Sequence, residues 1–209
     1  MNSKRHNAFI FLLMAIILGI VLSACSPTPK LPRLADDAVV VAFGDSITFG
    51  TGAGEQESYP AVLEKLIRRR VVNAGVPGEV TASGLSRLPE ILEREKPALL
   101  ILCHGGNDQL RRLSNQQTAD NIRQMIRLAK QRGAAIVLIA VPSPGIFVSP
   151  APFYLDIAKE LKIPLEEKTL SKVLADGSLK SDYIHPNAAG YRHLAEALTT
   201  LLKKSGAID

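Results

Sequence analysis

The stretch VVVAFGDSITFGTG, Val39 to Gly52, runs apolar through Phe43 and then turns polar at Ser46, between Asp45 and a series of glycines. A short run rich in valine reads as a strand buried on both faces. Ser46 then reads either as a turn residue or as a nucleophile presented at a strand end, and the rest of the chain has to decide between them.

The same kind of apolar run recurs at Val71–Asn73, Leu99–Cys103 and Ile136–Val141. Between the runs, hydrophobic residues fall at helical spacing. Val62, Leu63, Leu66 and Ile67 predict a helix over Pro60–Arg69, and Ile122, Met125, Ile126 and Ala129 predict one over Thr118–Arg132. Further helices are expected at about Leu85–Glu95, Phe153–Leu161 and Asn187–Lys203. Strands alternating with helices through short connections argue a parallel sheet, because each parallel pair needs a crossover. The expected fold is therefore α/β: a three-layer α/β/α sandwich around a small, flavodoxin-like doubly wound sheet. In such sheets ligands bind outside the carboxyl ends of the strands.

Chemistry-bearing residues collect where that rule puts them. GDS (Gly44, Asp45, Ser46) follows the first run, NAG with Gly75 the second, and HGGND with Asn107 the third. Near the C-terminus, SDYIHPNAAGY supplies Asp182 and His185 before the last helix, with Pro186 suited to its first turn. A serine hydroxyl is a weak nucleophile unless a base lies within hydrogen-bond reach. His185 can be that base, its imidazole having a reference pKa of about 6.5. Asp182 either accepts the other imidazole N–H and sets its tautomer, or caps the turn before the helix.

Four blocks in this order, Ser46 in GDSI, Gly75, Asn107 in GGND and His185 in DYIHP, resemble the SGNH, or GDSL, hydrolase family from about Val39 to Leu202. The run GLSRLPEILEREKPALLILCHGGNDQLRRLSNQQTADNIRQMI is similar to its periplasmic thioesterase, lysophospholipase and arylesterase branch, and AKELKIPLEE resembles the stretch leading to that branch's last strand. The proline-rich VPSPGIFVSPAPFYLDIA departs from it, where a longer loop bearing tyrosine and asparagine is expected. The resemblance implies Ser46, Asp182 and His185 as catalytic residues. It implies an oxyanion hole made by the N–H groups of Ser46 and Gly75 and the side-chain amide of Asn107. Gly75 is expected to be small so that the substrate oxygen can approach.

Other residues carry blander readings. Cys103, at the end of ALLILC, reads as a buried thiol. His104 and His193 read as structural or surface residues, Asp45 and Asp108 as braces for the active-site loops, and Arg111 and Arg112 as surface cations able to meet an anionic substrate. No Cys or His cluster has metal-ligand spacing, and the glycines of GTGAG follow no lysine-bearing phosphate loop, so no metal or cofactor is expected.

The N-terminus stands apart. Lys4 and Arg5 precede an apolar run from Ala8 to Leu22, the length of a signal peptide's core and shorter than the roughly 20 residues of a membrane span. LSAC, Leu22–Cys25, then resembles a bacterial lipobox. That resemblance implies a signal peptide over residues 1–24 and lipidation at Cys25, hence a membrane partner; an uncleaved anchor or another cleavage site is the alternative. SPTPKLPRLADD, with three prolines, reads as a tether through residue 37, reaching on the order of 30–35 Å at about 3.1 Å per residue. The hydrolase domain is expected over residues 38–209. Ser26 implies sorting to the outer membrane, facing the periplasm, in a Gram-negative cell.

The 209 residues are 46% hydrophobic and 22% charged, ordinary for one globular domain, here expected to be a monomer. The net charge of +5, two units of it from Lys4 and Arg5, is too small to imply nucleic acid. The expected function is an envelope-anchored serine esterase acting on small or medium acyl esters or thioesters. The alternatives are a carbohydrate O-acetylesterase and a non-catalytic ligand-binding lipoprotein.

Overall fold

The computed structural model describes residues 28–143 and 148–209. Its centre is a parallel sheet of β1 (Val40–Gly44), β2 (Val71–Gly75), β3 (Leu99–Cys103), β4 (Ala135–Ile139) and β5 (Leu165–Glu166), in the spatial order β2-β1-β3-β4-β5. β1, β3 and most of β4 are buried outright, as uninterrupted Val, Ile and Leu runs require. Gly44 pairs with Gly75 on one side and with Cys103 on the other, so three strands end in step. Ser46, Val76 and His104 consequently emerge along one edge.

Eight α-helices accompany the strands among the described residues: α1 (Ser46–Phe49), α2 (Tyr59–Ile67), α3 (Thr81–Glu95), α4 (Gly106–Leu110), α5 (Asn115–Gln131), α6 (Phe153–Leu161), α7 (Thr169–Ala175) and α8 (Ala188–Ser205). α2 packs on α8, while α3 packs on α5 and α5 on α6. The strand order reverses direction after β2, and right-handed crossovers then put these two groups on opposite faces. This is the expected α/β/α arrangement.

Several boundaries differ from expectation for identifiable reasons. α3 starts at Thr81, ahead of Leu85, because the Asp108 carboxylate from beyond β3 accepts the Thr81 N–H at 2.9 Å and supplies a cap that local sequence does not show. α8 begins at Ala188 with Asn187 as its cap, accepting from the Gly190 N–H at 3.1 Å, so Pro186 lies ahead of the helix and not in its first turn. α1, α4 and α7 are too short to show a helical period.

Residues 31–36, expected to belong to a tether, lie against the domain. Leu31 N–H donates to Ser205 O and Leu34 N–H to Ala207 O, both at 2.9 Å. Leu34 is buried in the core, and Arg69 holds Ala35 O and the Asp36 carboxylate. Burial of apolar Leu34 and satisfaction of its backbone turn Leu31–Asp36 into a strap on the domain. Cys25 and the signal segment lie outside the described residues.

Candidate active site

β1 delivers Asp45 and Ser46 at the sheet edge. Buried Asp45 accepts the Ile47 N–H through Oδ1 at 3.2 Å, which caps α1 and sets Ser46 as its first residue. Burial pushes the Asp45 carboxyl above its ordinary range.

His185 arrives from the other end of the chain, with Nε2 at 3.0 Å from Ser46 Oγ. Its Nδ1 lies 2.7 Å from Asp182 Oδ2. The other Asp182 oxygen, Oδ1, accepts the N–H groups of Ile184 and His185 at 2.8 and 2.9 Å. Both readings of Asp182 therefore hold at once, one oxygen capping the turn and the other meeting the imidazole. Partial burial would raise this carboxyl, but those hydrogen bonds, led by the one from His185, hold it below its ordinary value. A carboxylate at Nδ1 places the ring proton there and leaves the Nε2 lone pair facing the Ser46 hydroxyl.

The two loops are held together by a glycine. Gly52 has φ +98°, and a Cβ there would lie 2.1 Å from Ser181 Oγ and 2.6 Å from Pro186 O. The loop after α1 thus packs directly on the loop that carries His185. Tyr191 in α8 adds a hydrogen bond from its hydroxyl to Thr51 O at 2.7 Å.

Asn107 sits in the first turn of α4. Its Nδ2 donates to Glu79 O at 3.0 Å and, at a longer 3.3 Å, to Asp45 Oδ2. Ser46, Asn107 and His185 line one cavity of about 200 Å³, whose remaining wall includes Leu110, Val141, Val148, Leu174 and Ile184. Hydroxyl, base and amide therefore open into a largely apolar space.

Neither Gly75 nor Gly78 lines that cavity, but their N–H groups differ. The Gly75 N–H donates to Asn73 Oδ1 at 3.0 Å, and a Cβ on Gly75 would fall 2.1 Å from Phe49 N. The residue must be small because α1 crosses its backbone. Ser46 N–H and Gly78 N–H, in contrast, have no hydrogen-bond partner among the described residues. Gly78 occupies a turn at φ +77°, immediately before the Glu79 carbonyl that Asn107 engages.

The GDSL-like Lipase/Acylhydrolase family matches residues 42–193, which includes Ser46, Asn107 and His185. The chain belongs to this family. Esterase TesA of Pseudomonas aeruginosa is 30% identical over 199 residues, covering 88% of this chain and 98% of that protein. Thioesterase 1/protease 1/lysophospholipase L1 of Escherichia coli K12 is 28% identical over 179 residues, 82% of this chain and 86% of its own. A crystal structure of TesA superposes with a TM-score of 0.71 at 31% identity, covering 79% of this chain and 98% of that one. GDSL hydrolase membership and the α/β sandwich thus agree.

The blander residues of this hydrolase fall as follows. Cys103 is fully buried, and that burial pushes its thiol well above the ordinary range, so it is no nucleophile. His193 is exposed on α8. Asp108 is buried and binds Thr81 and Thr118, joining α4 to α3 and α5. Arg111 and Arg112 do not line the cavity, and Arg111 donates to Gly78 O at 2.8 Å. Glu79 and Arg87 escaped sequence reading altogether. They form a two-pronged ion pair, Arg87 Nε and Nη2 meeting Glu79 Oε1 and Oε2 at 2.9 and 2.8 Å, and an acid in a loop paired with a helix arginine carries no local signature.

Proposed function

We propose that this hydrolase is a serine esterase cleaving carboxylic ester or thioester bonds of small or medium acyl substrates through an acyl-enzyme on Ser46. The observation that carries the reading is the continuous contact from Asp182 through His185 to Ser46 at the mouth of an apolar cavity. His185 Nε2 takes the Ser46 proton as Oγ attacks the carbonyl, then returns it to the leaving alkoxide or thiolate. Water repeats the sequence on the acyl-enzyme. Asp182 remains ionised and stabilises the imidazolium between the two steps.

The negative oxygen of the tetrahedral intermediate needs donors already in place. Those proposed are the Ser46 N–H, the Asn107 amide and, in place of Gly75, the Gly78 N–H. The oxyanion can replace the long bond from Asn107 to Asp45.

The apolar lining favours an acyl chain over a sugar ring. Hydrolysis of p-nitrophenyl esters from acetate to decanoate, beside Ser46→Ala, tests the proposal. Loss of activity in the variant supports it, and an optimum confined to acetate would favour the carbohydrate O-acetylesterase reading. No ester hydrolysis by the folded wild type would overturn it in favour of a ligand-binding protein.

Attachment to the envelope through lipidated Cys25 completes the proposal. With Leu31–Asp36 docked, the proposed spacer between Cys25 and the strap is residues 26–30, which would reach about 15 Å at about 3.1 Å per residue. The strap meets the C-terminal end of α8, whose other end begins beside His185, about 27 Å away at 1.5 Å per residue. The site then opens away from the anchoring surface. Mass spectrometry of the protein extracted from membranes is expected to show a mature N-terminus at Cys25 carrying acyl chains; an N-terminus elsewhere or an unacylated Cys25 would refute lipid anchoring.

A further inference from the structure

Asn107 is held by a closed ring of contacts that has nothing to do with the Asp182–His185–Ser46 line. Its Nδ2 donates to the main-chain carbonyl of Glu79. The side chain of the same Glu79 meets His104 Nε2 at 3.1 Å, and two residues of chain separate His104 from Asn107. The ring therefore runs from His104 through Gly105 and Gly106 to Asn107, across to Glu79, and back to His104.

Each member is fixed from a second direction. His104 is fully buried, and its Nδ1 accepts the Gly105 N–H at 3.0 Å. That bond requires a bare Nδ1, so the neutral ring carries its proton on Nε2 and donates it to Glu79 Oε2. Glu79 is gripped on both oxygens by Arg87, whose guanidinium also donates to Ala74 O at 3.1 Å and lies 4.3 Å from the centre of the Phe43 ring. Room for the imidazole comes from Gly84 in α3, where a Cβ would fall 2.4 Å from His104 Nε2. A partly buried ion pair and a fully buried imidazole with a glycine reserved for it are a costly arrangement unless they hold something in place.

We infer that His104, Glu79 and Arg87 form a positioning unit for Asn107, aiming its side-chain amide at the developing oxyanion. The unit acts through geometry: the Glu79 carbonyl engages one amide N–H at 3.0 Å and so sets the plane of the other, whose long 3.3 Å contact with Asp45 Oδ2 an oxyanion can replace. This rests on the proposed role of Asn107 as an oxyanion donor. Misplacing a catalytic group by about 1 Å can cost on the order of a hundredfold in rate.

The test is a double-mutant cycle on full-length protein, read as kcat and KM for p-nitrophenyl butyrate. His104→Leu, which keeps the apolar volume and removes both ring nitrogens, is expected to lower kcat by roughly 10- to 100-fold with KM little changed. His104→Gln, able to donate to Glu79 and accept from Gly105, is expected to recover most of that loss. In an Asn107→Ala background, His104→Leu is expected to have no further effect. Arg87→Lys, which keeps the charge but breaks the two-pronged grip, reads the same coupling if the leucine variant does not fold. Undiminished kcat in a folded His104→Leu, or a loss of equal size with and without Asn107, would overturn the inference. A readout independent of turnover is the Asn107 side-chain NH2 pair in ¹⁵N-labelled protein, identified by its disappearance in Asn107→Ala. His104→Leu is expected to shift or broaden it, and an unchanged pair would also overturn the inference. Inactivity of the wild type would count against the esterase proposal and leave the NMR result to decide this one.

Discussion

His185 Nε2 lies 3.0 Å from Ser46 Oγ although 139 residues separate them in the chain. The contact depends on two loops at one sheet edge, pressed together at Gly52. It also depends on Asp182, which shapes the His185 turn with one oxygen and orients the ring with the other.

Asp182→Asn separates those two duties. The amide oxygen can still cap the turn, while its NH2 opposes the Nδ1 proton and favours the wrong tautomer. A buried triad aspartate replaced in this way costs roughly 10⁴-fold in kcat; Asp182 is half-exposed, so water can substitute in part and a loss of about 10²- to 10³-fold is expected. Steady-state kinetics with a melting curve check this, the melting temperature staying close to wild type.

Asn107→Ala is expected to lower kcat by roughly 10²- to 10³-fold, the usual cost of one oxyanion donor, with little change in KM. A normal kcat in that variant would remove Asn107 from the oxyanion hole.

Gly75→Ala is predicted to act on stability. Its Cβ would meet the Phe49 backbone at 2.1 Å, and rigid main chain cannot yield as a side-chain tip can. Such overpacking costs about 1–3 kcal/mol, visible as a lower denaturant midpoint. If the variant melted normally but lost turnover, Gly75 would return to the oxyanion hole.

Glu79 makes acid stability predictable. Burial opposes its ionisation, but hydrogen bonds from Arg87 and His104 prevail and bring its pKa from 4.5 to about 2. A carboxyl with a lowered folded-state pKa contributes stability that is complete above about 4.5 and is lost as the pH falls toward 2. Glu79→Gln is therefore expected to melt below wild type at pH 7, and the gap is expected to narrow between pH 4.5 and 2. A gap that widened on acidification would contradict this account of the carboxyl.

The strap can be tested by shortening the chain. A protein starting at Lys30 is expected to melt like the longer one, whereas one starting at Ala38 loses buried Leu34, worth about 1.5–3 kcal/mol. Equal melting temperatures would restore residues 31–37 to the tether.

Much of this molecule was legible in its amino-acid order. Strands buried on both faces announce themselves as Val39–Phe43 and Leu99–Cys103 do, and α5 and α8 show their helical periods, because both signals are local. GDS, HGGND and DYIHP were likewise readable, since each block lies within a few residues at a strand or loop end. The rest depended on partners distant in sequence. The start of α3 waits on Asp108, the size of Gly75 on the path of α1, the docking of Leu34 on the far end of α8, and the setting of Asn107 on Glu79, Arg87 and His104. Local sequence determines which elements form and which reactive groups they carry. The tertiary structure decided which of those groups meet, because hydrogen bonds and close packing act over a few ångströms of space regardless of separation along the chain.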